Sequence, residues 1–195
     1  MAKLYFKFGA MGCSKTAQAL ITKFNYEERG MKVLLMKPSV DNRDGATIIK
    51  SRIGLSSEAV TVNENQDVYR LYTEKYRDCQ VIIVDECQFL TPVQVDELGQ
   101  IVIDYNVPVL CFGLSTDFMT HLFPGSKRLF EIAESITEIK SVCKCGAKAT
   151  VNARFDDNGK VVFSGEQVVL GGNDRYTAMC RRCWLKLKKE QEENK

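Results

Sequence analysis

The sequence predicts an α/β protein: a parallel sheet with helices on both faces, followed by a small, mostly β appendage. Three observations predict it. Short, unbroken apolar runs recur at 33–36, 81–84 and 109–112, as strands buried on both faces require. Segments with helical apolar spacing separate them. Near Ser141 the pattern changes to two close cysteine pairs flanking alternating segments.

Taken in order, the opening "MAKLYFKFGA" reads as a first strand. Residues 16–25 follow, with Ala17, Leu20, Ile21 and Phe24 at helical spacing and Gly30 just beyond the end. Val33-Leu34-Leu35-Met36 is the second strand and Val81-Ile82-Ile83-Val84 another. Thr91-Pro92 starts a helix, with threonine as N-cap, proline in the first turn, and Val95, Leu98, Ile101, Val102 and Tyr105 as its buried stripe. Val109-Leu110-Cys111-Phe112 is the next strand. The division falls at about 140–142, giving an α/β part over 1–141, a cysteine-bearing part over 142–186 and a solvated, disordered charged tail over 187–195. Asp157-Asn158-Gly159 marks a hairpin turn within the second part.

Composition narrows the classes. The chain has 195 residues, 45% hydrophobic and 27% charged, with a formal net charge of +2, enough for one sizeable core plus a small appendage. The charges are mixed, which argues against a general nucleic-acid binder. No apolar run approaches the roughly 20 residues that span a bilayer, and the N-terminus lacks a signal-peptide core. A cytoplasmic protein without a membrane partner is expected. There, eight cysteines point to thiols and metal rather than disulfides.

Two constellations carry chemistry. In "GAMGCSKT", the residues Gly9, Ala10, Met11, Gly12, Cys13, Ser14, Lys15 and Thr16 stand between a strand and a helix. This is the context of a phosphate-cradling loop, whose helix N-terminus offers free N–H groups to an anion. Lys15 would reach the transferred phosphate and Thr16 would ligate magnesium. The usual pattern has glycine where Ser14 stands, so a glycine turn before an ordinary helix is the alternative. "VIIVDE" ends a buried strand in Asp85 and Glu86, where an acid would face the same magnesium; a solvated or helix-capping pair is the other reading. The second constellation is Cys143-x-Cys145 with Cys180-x-x-Cys183, four thiolates suited to a closed, structural zinc site, with free thiols or disulfides as alternatives. Cys13, Cys79, Cys87 and Cys111 have no paired spacing and read as core or loop thiols.

Together, "GAMGCSKT", "DNR" (41–43), "KSRIG", "VDECQF", "FGLSTDF", "LFPGS", "CKCGAKA" and "EQVVLGGNDRYTAMCRRC" resemble the type II, zinc-containing thymidine kinases of the bacterial type, in order over nearly the whole chain. The resemblance implies a phosphate-loop, RecA-like α/β part and a zinc-ribbon-like β part carrying a lasso loop. It implies transfer of the γ-phosphate of ATP to the 5′-hydroxyl of deoxythymidine, and more weakly deoxyuridine, for DNA precursor salvage. Glu86 would be the general base. Lys15 and Mg2+, held by Thr16 and Asp85, would stabilise charge on the phosphates. Gln88 would join the ATP-binding residues. Asp41 and Arg43 would lie near the phosphates. The lasso would offer Gly171 and Gly172 main chain to the pyrimidine edge, with Tyr176 at the nucleoside. Phe118, Phe89 and Phe123 would pack near the base, and Met11 and Leu114 would line its methyl pocket. A homotetramer, inhibited by the triphosphate end product, is implied by the same resemblance. Ser14, the Gly12-Cys13 pair and Asp174 depart from the family's usual residues. A nucleic-acid-dependent RecA-like ATPase, and a catalytically impaired nucleotide-binding relic, are the competing readings.

Overall fold

The computed structural model describes residues 1–43, 45–167 and 175–193. Strands β1 (Leu4–Phe8), β2 (Val33–Pro38), β5 (Val60–Val62), β6 (Val81–Val84), β7 (Val109–Gly113) and β8 (Ser135–Glu138) form one sheet in the order β5-β2-β6-β7-β1-β8. Every ladder in it is parallel. A short hairpin of β3 (Ile48–Lys50) and β4 (Ser56–Glu58) stands beside it.

The unbroken apolar runs are explained by the two faces. Leu34, Met36, Ile82, Val84, Val109 and Cys111 point to one side, where α2 (Val68–Lys75), α3 (Pro92–Tyr105) and α4 (Pro124–Ile132) cover them. Leu35, Ile83, Leu110 and Phe112 point to the other, against Ala19 and Leu20 of α1 (Lys15–Glu27). A period of 2 with both sides dry makes these strands apolar throughout, except for Lys37 near the end of β2.

The helix expected from Thr91 forms with a complete capping box: the Thr91 hydroxyl accepts from the Gln94 N–H, and the Gln94 side chain accepts from the Thr91 N–H. Val95, Leu98, Ile101 and Val102 are buried as their spacing predicts. The stripe expected on α1 is only half inward. Ala17 and Leu20 are buried, but Ile21 and Phe24 are 45% and 58% exposed, because the helix leans on the sheet through its small residues. The edge strands β5 and β8 were not legible in the sequence; "SITE", alternating and polar, has none of the signal of a central strand.

Beyond β8, the pair β9 (Ser141–Val142) and β10 (Lys148–Ala149) makes a knuckle, and β11 (Val151–Phe155), β12 (Val161–Val162) and β13 (Tyr176–Met179) form an antiparallel sheet ordered β12-β11-β13. The Asp157-Asn158-Gly159 turn joins β11 to β12, with Gly159 at φ 73°. The core of this part includes Val151, Ala153, Met179 and Trp184. Helix α5 runs Arg181–Glu193 and so covers most of the stretch from 187 read above as a disordered tail. Its first turns are anchored by Trp184, which packs edge-on against Phe163 at 5.3 Å, while the charged residues face outward.

Thr91→Ala removes the hydroxyl that accepts the Gln94 N–H and leaves only the backbone half of the capping box, so it is expected to destabilise the protein by about 0.5–2 kcal/mol, whereas Thr91→Ser stays within a few tenths. Urea unfolding of the two variants against the parent measures this; equal stability of all three would contradict it.

Candidate active site

The carboxyl ends of β1, β2, β6 and β7 open on one side of the sheet. There they wall a cavity of about 310 Å³. Because β7 lies between β1 and β6, the loop after β1 and the acids after β6 face each other across the end of β7, the crevice where parallel α/β sheets bind ligands.

Gly9 starts the loop. A Cβ there would run into the carbonyl of Ile139 and the Cys13 thiol, so no other residue fits. Gly12 has φ 73° and Ser14 φ 64°, both left-handed. Ser14 is thus the one residue of this loop that takes a glycine-favoured backbone with a side chain attached, and its hydroxyl makes no capping bond. The loop keeps its shape at a local strain on the order of 1–3 kcal/mol. Lys15, the first residue of α1, is buried; its ammonium donates to the carbonyls of Gly9 (3.2 Å) and Ala10 (3.0 Å) and lies 3.6 Å from the Cys13 sulfur.

Asp85 is buried, and burial together with the neighbouring Glu86 charge raises its pKa to about 7 against the pull of the Thr16 hydroxyl. Its Oδ1 has no hydrogen-bond partner among the described residues. A buried, orphaned carboxylate oxygen beside a threonine hydroxyl fits a hard divalent cation, which takes oxygen ligands.

Glu86 sits at φ 53°, an uncommon backbone for a side chain of its size. Its Oε1 accepts from Arg43 Nη2 at 2.6 Å and its Oε2 from Gln88 Nε2 at 2.5 Å. Burial pushes the Glu86 carboxyl up, but Arg43, Lys15 and the Gln88 amide outweigh it, and the net shift is downward. Gln88, expected to contact cofactor, is buried and engaged at both ends instead, since its Oε1 accepts the Leu114 N–H at 3.0 Å. Asp41 takes the other side of Arg43, and the fully buried Lys37 holds the following loop by donating to the carbonyls of Gly45 and Ile48, each at 2.8 Å.

The apolar wall is Met11, Leu114, Phe89, Phe118, Phe123 and Tyr176, all expected from the sequence. Phe89 and Phe123 meet edge-on at 5.6 Å. Phe118 is buried under the Arg154 guanidinium, 3.6 Å from its ring centre. Gly171, Gly172 and Asp174 lie outside the described residues. Sequence reasoning missed Asn152, Arg154, Gln167 and Lys37. The one available signal was the lysine embedded in the apolar run "VLLMKP".

The four sulfurs of Cys143, Cys145, Cys180 and Cys183 all lie within 4.8 Å of one another, and Cys145 and Cys180 are 3.6 Å apart. Ligands about 2.3 Å from a tetrahedral zinc stand about 3.8 Å from each other, so the quartet has the size the metal needs. The remaining cysteines are buried or half-buried in the α/β part.

Fold and site define a phosphate-loop α/β protein with a cysteine-quartet appendage. The family described as "TK: Thymidine kinase" matches residues 2–184. Relatives named thymidine kinase include one from Yersinia pseudotuberculosis, 46% identical over 93% of this chain and 94% of its own. Another, from Zymomonas mobilis, is 46% identical over 95% and 97%, and one from Enterobacteria phage T4 is 43% identical over 97% and 99%. A solved Bacteroides Pif1 helicase bound to single-stranded DNA aligns at TM-score 0.40 and 14% identity over 70% of this chain and 38% of that one, too low a likeness to argue from. The chain belongs to the thymidine kinase family.

Ser14→Gly relieves the left-handed strain but loosens the unfolded chain, so its stability is expected within about 1 kcal/mol of the parent. Ser14→Val, β-branched in the same backbone, should lose on the order of 1–3 kcal/mol. Thermal unfolding decides; a valine variant as stable as the parent would show that the loop is unstrained.

Proposed function

We propose that this chain transfers the γ-phosphate of ATP to the 5′-hydroxyl of deoxythymidine, with Glu86 as the general base. The observation that carries the reading is the meeting, in one cavity, of the phosphate loop, an ionised Glu86 and an aromatic wall. Lys15 would leave the loop carbonyls and meet the phosphate oxygens, joined by the N–H groups at the start of α1. Mg2+, for which Thr16 and Asp85 are the fitting ligands, would neutralise charge on the β- and γ-phosphates when bound. Gly9 to Thr16 form the donor site.

Glu86 is a weak base by virtue of its depressed pKa. That suits a loose phosphoryl transfer, where the hydroxyl proton leaves late and little covalent push is needed. Its task is to stay ionised and point one oxygen at the hydroxyl, and the bonds from Arg43 and Gln88 fix that aim. Phe89, Phe118, Phe123 and Tyr176 would hold the nucleoside, with Gly171 and Gly172 at the base edge, and Met11 and Leu114 at the 5-methyl group. Purine nucleosides should be excluded by size.

Residues 1–141 would hold the phosphate donor and most of the aromatic wall, and residues 142–186 would add Tyr176 and the lasso main chain on the nucleoside side. Zinc on Cys143, Cys145, Cys180 and Cys183 would be structural, since four protein ligands leave no open position. Among the described residues no helix is long and apolar enough to cross a membrane; a cytoplasmic homotetramer, with no nucleic-acid partner, follows from the resemblance to type II enzymes and is testable by sedimentation.

One assay tests the reaction: labelled ATP and magnesium with a panel of nucleosides. Transfer to thymidine is expected, with deoxyuridine about 10–200-fold poorer because an apolar methyl contact discriminates only that far. Glu86→Gln should lower kcat by about 10²–10⁴-fold. No transfer to any nucleoside would overturn the reading, and full activity of Glu86→Gln would overturn the base assignment alone. Metal analysis should find about one zinc per chain, and Cys145→Ser should lose it together with thermal stability; metal-free protein of unchanged melting point would refute the zinc site.

A further inference from the structure

Strand β11 belongs to the cysteine-bearing part, yet two of its side chains reach into the phosphate part. Asn152 is 3% exposed. Its Oδ1 accepts the Met11 N–H at 2.8 Å, and its Nδ2 donates to the Thr116 carbonyl at 2.9 Å. Met11 is in the loop after β1, and Thr116 is in the loop after β7 that leads to Phe118. Two residues further along the strand, on the same side, Arg154 covers the Phe118 ring at 3.6 Å and donates to the Glu166 carbonyl at 2.9 Å. Val151 and Ala153, on the opposite side, fill the small part's own core.

The chemistry of the contact is selective. One neutral side chain must accept in one direction and donate in the other. Aspartate would set an acceptor against the Thr116 carbonyl, and an apolar residue would take the partner from both half-buried backbone groups. Fastening two parts together would need only apolar packing. Here the fastening is made to an amide of the phosphate loop itself, and that amide is turned toward Asn152 instead of toward the anion. On its other edge β11 pairs with β13, with Arg154 opposite Tyr176, and Tyr176 lines the cavity. The wall that would touch the nucleoside is therefore connected to the phosphate loop through β13, β11 and one carboxamide.

We infer that Asn152 is a positioning residue that couples nucleoside binding to the geometry of the phosphate loop, so that thymidine and ATP tighten each other's binding. The inference rests on the kinase reading above. A residue that merely stabilised the fold would leave the coupling between two ligands unchanged, and coupling is therefore the quantity to measure.

Calorimetric titration of thymidine, with and without a non-hydrolysable ATP analogue and magnesium, measures it. In the parent protein the analogue is expected to tighten thymidine binding by about 5–150-fold. In Asn152→Ala this ratio should fall to near one while each ligand still binds alone. Asn152→Asp, equal in size and keeping only the Met11 bond, should lose most of the ratio too, and it carries the test if the alanine variant does not fold, as judged by its melting curve and zinc content. A parent that phosphorylates thymidine but shows no coupling, or a folded variant that retains the parent's ratio, overturns the role of Asn152 and leaves the kinase reading standing. A parent that binds no thymidine overturns both.

Discussion

The parallel ladder joining β6, β7 and β1 is the constraint on which the site depends. It sets Phe8 beside Gly113 and Val84 beside Cys111, so three strands end at nearly one level and their loops must leave in the same direction. Nothing else would bring a phosphate loop, two acids and an aromatic loop, far apart along the chain, into one cavity. The ends are so close that side chains are excluded. A Cβ on Gly113 would stand 2.6 Å from both the Cys87 sulfur and Gln88 Oε1, which would dislodge the residue that aims Glu86. The dry faces of the sheet are what hold this level, because slipping any central strand by one residue would move its whole apolar set to the wrong side.

At that edge the protein accepts strain and charge that it tolerates nowhere else in the sheet. Ser14 and Glu86 both take left-handed backbones, each costing roughly 1–3 kcal/mol. Lys15 and Asp85 are both buried, one folded back on loop carbonyls and the other with an oxygen lacking any partner among the described residues. These are the features a phosphate and its cation would relieve: the ammonium gains an anion, the carboxylate gains a cation, and the loop amides gain acceptors. If they bind as proposed, the stability given up in the ligand-free protein would reappear as affinity.

The central strands, the Thr91 helix, the Asp157–Gly159 hairpin and the cysteine quartet were legible because each rests on a local rule: a buried run, a cap, a turn, a ligand spacing. The phosphate loop was legible by its order between strand and helix, even with Ser14 in it. What escaped were relations between segments. Nothing local in "TVNARF" says that Asn152 will meet Met11, and nothing in "DNR" says that Arg43 will choose Glu86 over solvent, because the first contact is made by the packing of one sheet's strand on another sheet's loop and the second by the pairing of β2 with β6, and neither relation leaves a mark on the sequence of a single strand. Gln88 shows the same limit from the other side. Its place beside the acids was readable, but not that both ends of its amide would be used to position Glu86 and Leu114.

The cysteine quartet acquires its sense from those relations. Cys143 and Cys145 lie a few residues before β11, and Cys180 and Cys183 follow directly on β13. A metal held there would pin together one end of each strand that carries Asn152, Arg154 and Tyr176. The core of this part is small, built on Ala149, Val151, Ala153, Val161, Met179 and Trp184 beside the cysteines themselves, and a core of that size needs a staple to hold one register. Without it, β11 and β13 could shift against each other, and a shift of one residue would turn Asn152 away from Met11 and Arg154 away from the Phe118 ring and present Val151 and Ala153 in their place. A structural metal would therefore be tied to the site at a distance: it would set the register of the strand whose single carboxamide meets the loop after β1.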